Sequence, residues 1–181
     1  LDVGSTEDDS NESSNYLIKN LGNFKEIKSI SDQSINLDFF NKSLKKSITS
    51  KFNKDEIQEF QSDLVISNAT IEHVGNFQNQ MIMCKNIINL SRKYFIIITP
   101  NRYHPLEFHT KIPLIHWLPK KIHRMILKFI GLNFFADENN LNLLSNFDLN
   151  LIMKILGQTD YKIESINFIF FKSNLILIGK K

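Results

Sequence analysis

The first hundred residues alternate short apolar runs with stretches that carry apolar residues at helical spacing. Leu1-Asp2-Val3-Gly4, Ile27 to Ile30, Asp63 to Ser67 and Tyr94 to Thr99 have the length and apolar content of buried strands. Between them, Ser13 to Leu21 and Gln78 to Leu90 read as helices, and Lys54 to Phe60 reads as a short one inside a compressed third unit between Ile48 and Phe60. Parallel strands need long crossovers, so the alternation predicts an α/β domain: a mostly parallel sheet with helices on both faces.

The pattern changes after Arg102. Residues 103–144, rich in His, Pro and aromatics, read as an insertion or lid-like segment within a single domain covering 1–181. Inside it, Pro119 can open a helix that sets Ile122, Met125, Ile126, Phe129 and Ile130 on one face and Lys120, Lys121, Arg124 and Lys128 opposite. A basic amphipathic helix of this kind either packs its stripe against the sheet or lies on an anionic membrane surface. Because Ile112 to Leu132 follows the fifth-strand loop, it is expected to cover the strand-end cleft, with Tyr103, His109 and Trp117 in one cavity beside His73. Beyond it, Ser145 or Asn146 caps a helix over Asp148 to Leu156. Lys162 to Phe171 and Asn174 to Gly179 read as two strands joined by a tight turn at Lys172-Ser173, which requires an antiparallel hairpin.

Composition narrows the class. With 42% hydrophobic and 23% charged residues the chain is an ordinary globular domain, large enough for a sizeable core. Leu1 already lies inside a strand, so a fragment lacking its true N-terminus is expected. The single Cys84 excludes a disulfide framework or a Cys-rich zinc site, and the apolar runs are too short to cross a bilayer, which suits a cytoplasmic enzyme. A net charge of +3 is mild and its basic residues are spread out, so nucleic acid is not an expected partner. His104, His109, His116 and His123 lack the i, i+4 spacing with a Glu that marks a helical zinc site, and no metal is predicted.

Ligands on such sheets sit at the carboxyl ends of the strands, here Gly4 onward, Ser31-Asp32, Asn68 to His73 and Pro100 to Arg102. Gly4 allows a positive φ or a close backbone approach in a Rossmann-like first turn. The loop lacks the further glycines of G-x-G-x-x-G, so a dinucleotide pyrophosphate would fit poorly.

Three motifs together, LDVG at the first strand, D-x-V-x-S-N-A-x-I-E-H-V at the fourth and T-P-N-R after the fifth, resemble class I S-adenosylmethionine-dependent methyltransferases of the group acting on small molecules, sugars and lipids. The resemblance covers nearly the whole chain. It implies S-adenosyl-L-methionine as cofactor, approached by Asp2 and Gly4 with Ser5 in the same loop. It also implies ribose binding by Asp32, next to Ser31, and a place for Asn68 where cofactor methyl and acceptor meet. Asp55 is either the adenine-side residue ending the third strand or a carboxylate at a helix N-terminus.

For the acceptor, a small molecule, glycan or lipid-linked group, the resemblance points to methylation on oxygen. His73 serves as base or orienting group with Glu72 beside it, or the pair simply caps the next helix. Arg102, His109 and Tyr103 are the candidate substrate contacts, with Glu107 near them, and structural ion pairing is the other role open to the charged ones. The S-N-A-T turn differs from the Asn/Asp-Pro-Pro-aromatic signature that resembles nucleic-acid amino methylases. Gly4-Ser5-Thr6 also departs from the usual G-x-G, which keeps a second class open: a non-catalytic binding module that retained the fold.

Overall fold

A computed structural model describes every residue except 9, 13 and 23. Its strands are β1 (Asp2–Val3), β2 (Lys28–Ser31), β3 (Lys42–Lys45), β4 (Ser62–Asn68), β5 (Ser91–Pro100), β6 (Tyr161–Phe168) and β7 (Phe171–Lys180). They form one seven-stranded sheet in the order β3-β2-β1-β4-β5-β7-β6. The first five run parallel, whereas β7 is antiparallel to both β5 and β6. The strand order reverses beside β1, between β2 and β4, and a topological switch point of this kind opens a crevice at the carboxyl ends of the strands.

Helices α1 (Tyr16–Asn20), α2 (Lys54–Phe60), α3 (Phe77–Leu90), α4 (Lys120–Phe129), α5 (Asn133–Ala136) and α6 (Asn146–Ile155) complete the fold. Their starts follow local chemistry. In α2 the Asn53 side chain accepts from Glu56 N–H while Glu56 reaches back to Asn53 N–H, and Ser145 with Asp148 repeats this capping box on α6. Ser145, rather than Asn146, is therefore the cap. The expected start of the first helix at Ser13 lies outside the described residues, and the helix seen there spans only Tyr16–Asn20. One core cluster joins the central strands to the helices through Val3, Ile30, Val65, Met83, Ile87, Phe95, Ile97, Leu149 and Leu177, all essentially inaccessible. Burial on both sides explains why β4 and β5 read as continuous apolar runs.

Two expectations need correction. The third strand is Lys42–Lys45, upstream of the unit between Ile48 and Phe60; it is an edge strand in which only Leu44 is half-buried, so Lys-Ser-Leu-Lys carries almost no apolar signal. Asp55 consequently ends no strand and sits exposed in the first turn of α2. In the hairpin, the turn is at Ile169-Phe170 rather than Lys172-Ser173. Ile169 has φ 59, a register shift lies between Ile166 and Asn167, and Ser173 is buried inside β7, donating to Ile166 O at 3.0 Å. The turn residues are apolar yet exposed, so hydrophobicity pointed away from the true corner.

The segment 103–144 leaves and rejoins the sheet at one place: Asn101 bridges Leu144, and Arg102 N–H donates to Leu144 O at 2.9 Å. Its helix α4 buries only His123 and Leu127, while Ile122, Met125, Phe129 and Ile130 are exposed. Packing of that stripe on the sheet is not what the structure has. Among the described residues no helix is long and apolar enough to cross a membrane.

Gly179 marks a tight point of the sheet. It pairs with Phe95, and a Cβ at 179 would lie 2.0 Å from Phe95 Cζ, inside a ring that is wholly buried between strands. Gly179→Ala should therefore destabilise the protein by about 1–3 kcal/mol, the usual scale of overpacking. Urea unfolding should show a lower midpoint at unchanged slope; a midpoint equal to the wild type would contradict this packing.

Candidate active site at the strand ends

A cavity of about 430 Å³ opens at the switch point. Gly4, Ser5 and Thr6 from the end of β1, Ser31 and Asp32 from β2, Ser47, Ile48 and Thr49 from beyond β3, Thr70 and His73 from beyond β4, and Asn139 from the insertion line it. Its size suits an organic ligand of a few hundred daltons. An adjoining cleft of about 250 Å³ shares Gly4, Thr6 and Ala69 with it and adds Asp2, Asn68 and Tyr16. The five expected cofactor residues thus line two connected hollows: Asp32 on one side of the β1 loop, Asp2 and Asn68 on the other, Gly4 in both. Ser5 joins the first.

The β1 loop is held by side chains. Ser5 Oγ donates to Asp2 Oδ2 at 2.5 Å, Ser29 Oγ donates to Ser5 Oγ at 2.9 Å, and Ser31 Oγ donates to Ser5 O at 2.7 Å. Asn15 brackets Thr6, accepting from its N–H at 3.0 Å and donating to its carbonyl at 2.9 Å. Gly4 has φ 91, and a Cβ there would fall 2.1 Å from Thr70 Oγ1, so this one glycine is required. Thr6 keeps a negative φ, and a second glycine is conformationally unnecessary at that position. Ser31 spends its hydroxyl on the loop, which leaves exposed Asp32, one residue past β2, as the free acceptor. Asp2 is nearly inaccessible, and burial lifts its carboxyl to about 6 against the opposing pull of Ser5.

Beyond β4 the backbone turns through Ala69 at φ 51 into a short 3-10 turn, Ile71–His73. Glu72 is completely buried there. Thr99 Oγ1 donates to its Oε2 at 2.9 Å, whereas its Oε1 has no hydrogen-bond partner, and burial raises its carboxyl above the ordinary range although His73 pulls the other way. His73 Nδ1 lies 2.6 Å from Asn140 O; a carbonyl only accepts, so Nδ1 carries the proton and Nε2 is left free, 3.9 Å from Glu72 Oε1. The His109 ring stands edge-on to His73 with centroids 4.9 Å apart. Glu107 accepts from His109 Nδ1 at 2.6 Å and also from the backbone N–H groups of His109 and Thr110, at 2.9 and 2.6 Å. Burial opposes its ionisation, yet these donors bring it down to about 2. Burial likewise opposes a charge on His109, and Glu107 overcomes it, so the His109 pKa is raised.

The insertion supplies the frame of this cluster. Asn142 N–H donates to Glu72 O at 2.7 Å, Asn142 Nδ2 donates to Gly75 O at 2.8 Å, and buried Gln80 donates to both Ile71 O and Asn142 O. Glu72, His73 and His109 are therefore brought together, and the other two expected substrate contacts are not. Arg102 donates to His116 O and Leu118 O at 3.3 and 2.9 Å, fastening the insertion. Tyr103 lines a separate cleft with Asn146, Phe147 and Glu164, and Trp117 Nε1 is turned to His104 O. The expectation of one cavity holding Tyr103, His109 and Trp117 fails because Arg102 draws the chain toward residues 116–118, away from the sheet's crevice. Thr99, Asn140 and Asn142 escaped sequence reasoning; only Thr99 left a trace, as the residue before the Pro100 of T-P-N-R.

No protein-family model and no curated protein matches this sequence. Solved structures do. A SAM-dependent methyltransferase from Archaeoglobus fulgidus aligns over 100% of this chain and 85% of its own at 17% identity, TM-score 0.54. PigF with SAH aligns over 100% and 55% at 12% identity, TM-score 0.58, and LepI in complex with SAM over 100% and 43% at 5% identity, TM-score 0.56. The chain spans about half the length of several matched proteins, 50% for a magnesium protoporphyrin IX methyltransferase from Synechocystis PCC 6803. The fold is the one seen in class I SAM-dependent methyltransferases.

Asp2 gives a pH test of this geometry. Its folded pKa of about 6 exceeds the ordinary 3.8, so the native state holds the proton longer than the unfolded chain. Its contribution is complete below about pH 4 and is lost as pH rises through 6, roughly 3 kcal/mol in all. Measured by urea unfolding, the stability of Asp2→Asn relative to wild type should climb by about that amount between pH 3 and pH 7. A pH-independent difference would mean that Asp2 is not the buried acid described.

Proposed function

We propose that this chain is an S-adenosylmethionine-dependent methyltransferase domain acting on an oxygen of a small-molecule, glycan or lipid-linked acceptor. The observation that carries the reading is the meeting, around one strand-end cavity, of the Gly4 loop, the free carboxylate of Asp32 and the open Nε2 of His73. The residues present suit the cofactor: Asp32 offers two oxygens to ribose hydroxyls, the 47–49 turn faces the same hollow for the base, and buried Asp2 answers a cationic amine. Bound there, S-adenosylmethionine supplies a methyl on a sulfonium sulfur, which keeps the C–S electron pair as the acceptor oxygen takes the carbon. The chain's own work is alignment and proton handling. His73, its tautomer fixed by Asn140 O, has Nε2 available to take or hold the hydroxyl proton of the acceptor.

Calorimetric titration with S-adenosylhomocysteine tests the cofactor half. Binding is expected, weakened about 10- to 100-fold in Asp32→Ala, the scale of lost charge-assisted hydrogen bonds. No heat, or no effect of Asp32→Ala, would sink it. With an acceptor found by screening cell extracts for methyl transfer, His73→Ala should cost on the order of a hundredfold in turnover with cofactor affinity kept. Cofactor binding without any transfer would instead favour a non-catalytic module.

The exposed stripe of α4 favours a lipid-linked acceptor presented at a membrane surface. Met125 and Phe129 are 64% and 91% exposed, and Lys121 and Lys128 on the same helix are free for anionic headgroups. Flotation with vesicles containing anionic lipid at low salt is expected to carry the protein upward, and Met125→Ser with Phe129→Ser to abolish this. Equal flotation of that variant, or none by the wild type, would leave the acceptor water-soluble.

A further inference from the structure

Glu72, His73 and His109 each offer one ligand atom to a common point, and these atoms lie within 4.8 Å of one another. What separates them from an ordinary polar cluster is how each is prepared. Glu72 has no exposure, and one of its carboxylate oxygens is taken by the Thr99 hydroxyl while Oε1 has no partner. Both histidines are held by Nδ1, His73 on a backbone carbonyl and His109 on the Glu107 carboxylate, so Nε2 is the nitrogen left on each ring. This is the arrangement of metal-ligating side chains, in which an outer acceptor fixes the tautomer and the opposite ring nitrogen binds.

We propose that Glu72, His73 and His109 bind a divalent transition-metal ion, with Glu107, Asn140 and Thr99 as the outer groups that orient them. Ligand atoms about 2.1 Å from one ion lie roughly 3–3.5 Å apart, so atoms within 4.8 Å of one another need to close by at most about 1.5 Å. One carboxylate and two imidazoles suit Zn²⁺, Co²⁺ or Mn²⁺ better than Mg²⁺, which prefers oxygen ligands throughout. Three protein ligands leave positions open, and His73 also lines the strand-end cavity in which the cofactor is placed above. The site rests on this geometry alone; its use rests on the methyl-transfer reading. In that use an acceptor hydroxyl binds the ion, releases its proton to solvent more readily, and presents its oxygen for the new O–C bond, His73 then acting as ligand and not as base.

The test is metal binding by the full chain after chelator stripping, titrated calorimetrically with Zn²⁺, Co²⁺, Mn²⁺ and Mg²⁺ in turn. One transition-metal ion per chain is expected, at least tenfold tighter than Mg²⁺, and the Co²⁺ form should absorb in the visible. Glu72→Gln and His109→Gln should each abolish saturable binding, Glu107→Gln should weaken it about 10- to 100-fold, and His116→Gln should leave it unchanged. Since Glu72→Gln alters a buried position, Co²⁺ absorption of the wild type and the milder Glu107→Gln keep the test decisive if that variant does not fold. No saturable binding, or a loss shared equally by His116→Gln, overturns the site. S-adenosylhomocysteine titrated on the same samples separates the two readings: cofactor without metal overturns the site alone, and metal without cofactor overturns the methyltransferase reading alone.

Discussion

A carboxylate in the turn beyond a central strand, shut off from water, has to be matched by the groups around it, and much of the strand-end half of this protein is arranged about Glu72. Leaving such a group unpaired costs several kcal/mol. Strand β5 answers with Thr99, the turn after β4 contributes His73, and the insertion brings His109. The backbone carbonyl of the same residue receives Asn142 N–H, so the requirement that fixes the carboxylate also fixes where the insertion returns to the sheet. Gln80 on α3 closes the arrangement from below by donating to both Ile71 O and Asn142 O.

That anchoring explains the two-sided nature of the 103–144 segment. Its inner side carries polar contacts: Arg102 on the carbonyls of 116 and 118, Lys120 on Asn142 Oδ1 at 2.6 Å, Arg124 on Glu138 at 2.8 Å. Burial holds Lys120 below the usual lysine range and lowers His123 to about 4, so the imidazole beneath these cations stays neutral at physiological pH. Leu127 is taken into the inner side of the segment, while Ile122, Met125 and Phe129 of α4 point outward. A helix that turns much of its apolar stripe to solvent while Lys120 and Arg124 hold the protein leaves that face uncovered, which is why, on the reading proposed above, the stripe speaks for an external partner.

The parts of the fold legible in the sequence were those where burial and period agree. β4 and β5 are apolar because both faces are covered, α2 and α6 announce their starts through Asn53 and Ser145, and Gly4 stands where only a positive φ will do. The edge strand β3 was silent since an edge needs no apolar face, and the hairpin corner was misread since Ile169 and Phe170 place hydrophobic side chains in solvent. Site residues divide the same way. Gly4, Asp32 and His73, placed by their position near strand ends, line one cavity there. Those fixed by a long-range contact, Asn140, Asn142 and the partnership of Glu107 with His109 beside His73, depend on an insertion path that no local pattern encodes.

The missing loop glycine is best understood from this same division. A glycine-rich turn lets a ligand approach bare backbone, but it is also floppy, and here Ser5, Ser31 and Asn15 replace that freedom with a set of side-chain hydrogen bonds. The consequence is a β1 loop tied by side chains that stands between two hollows, with a buried acid on one side and an exposed one on the other. In the proposed function a cofactor that spans both would place its cationic group beside Asp2, where ionisation is costly without it, and its diol beside Asp32, where water already competes. On the methyl-transfer reading proposed above, that asymmetry of charge, imposed by which carboxylate the loop buries, would suit a zwitterionic nucleoside better than a pyrophosphate, whose repeated negative charge would meet an acid at each end.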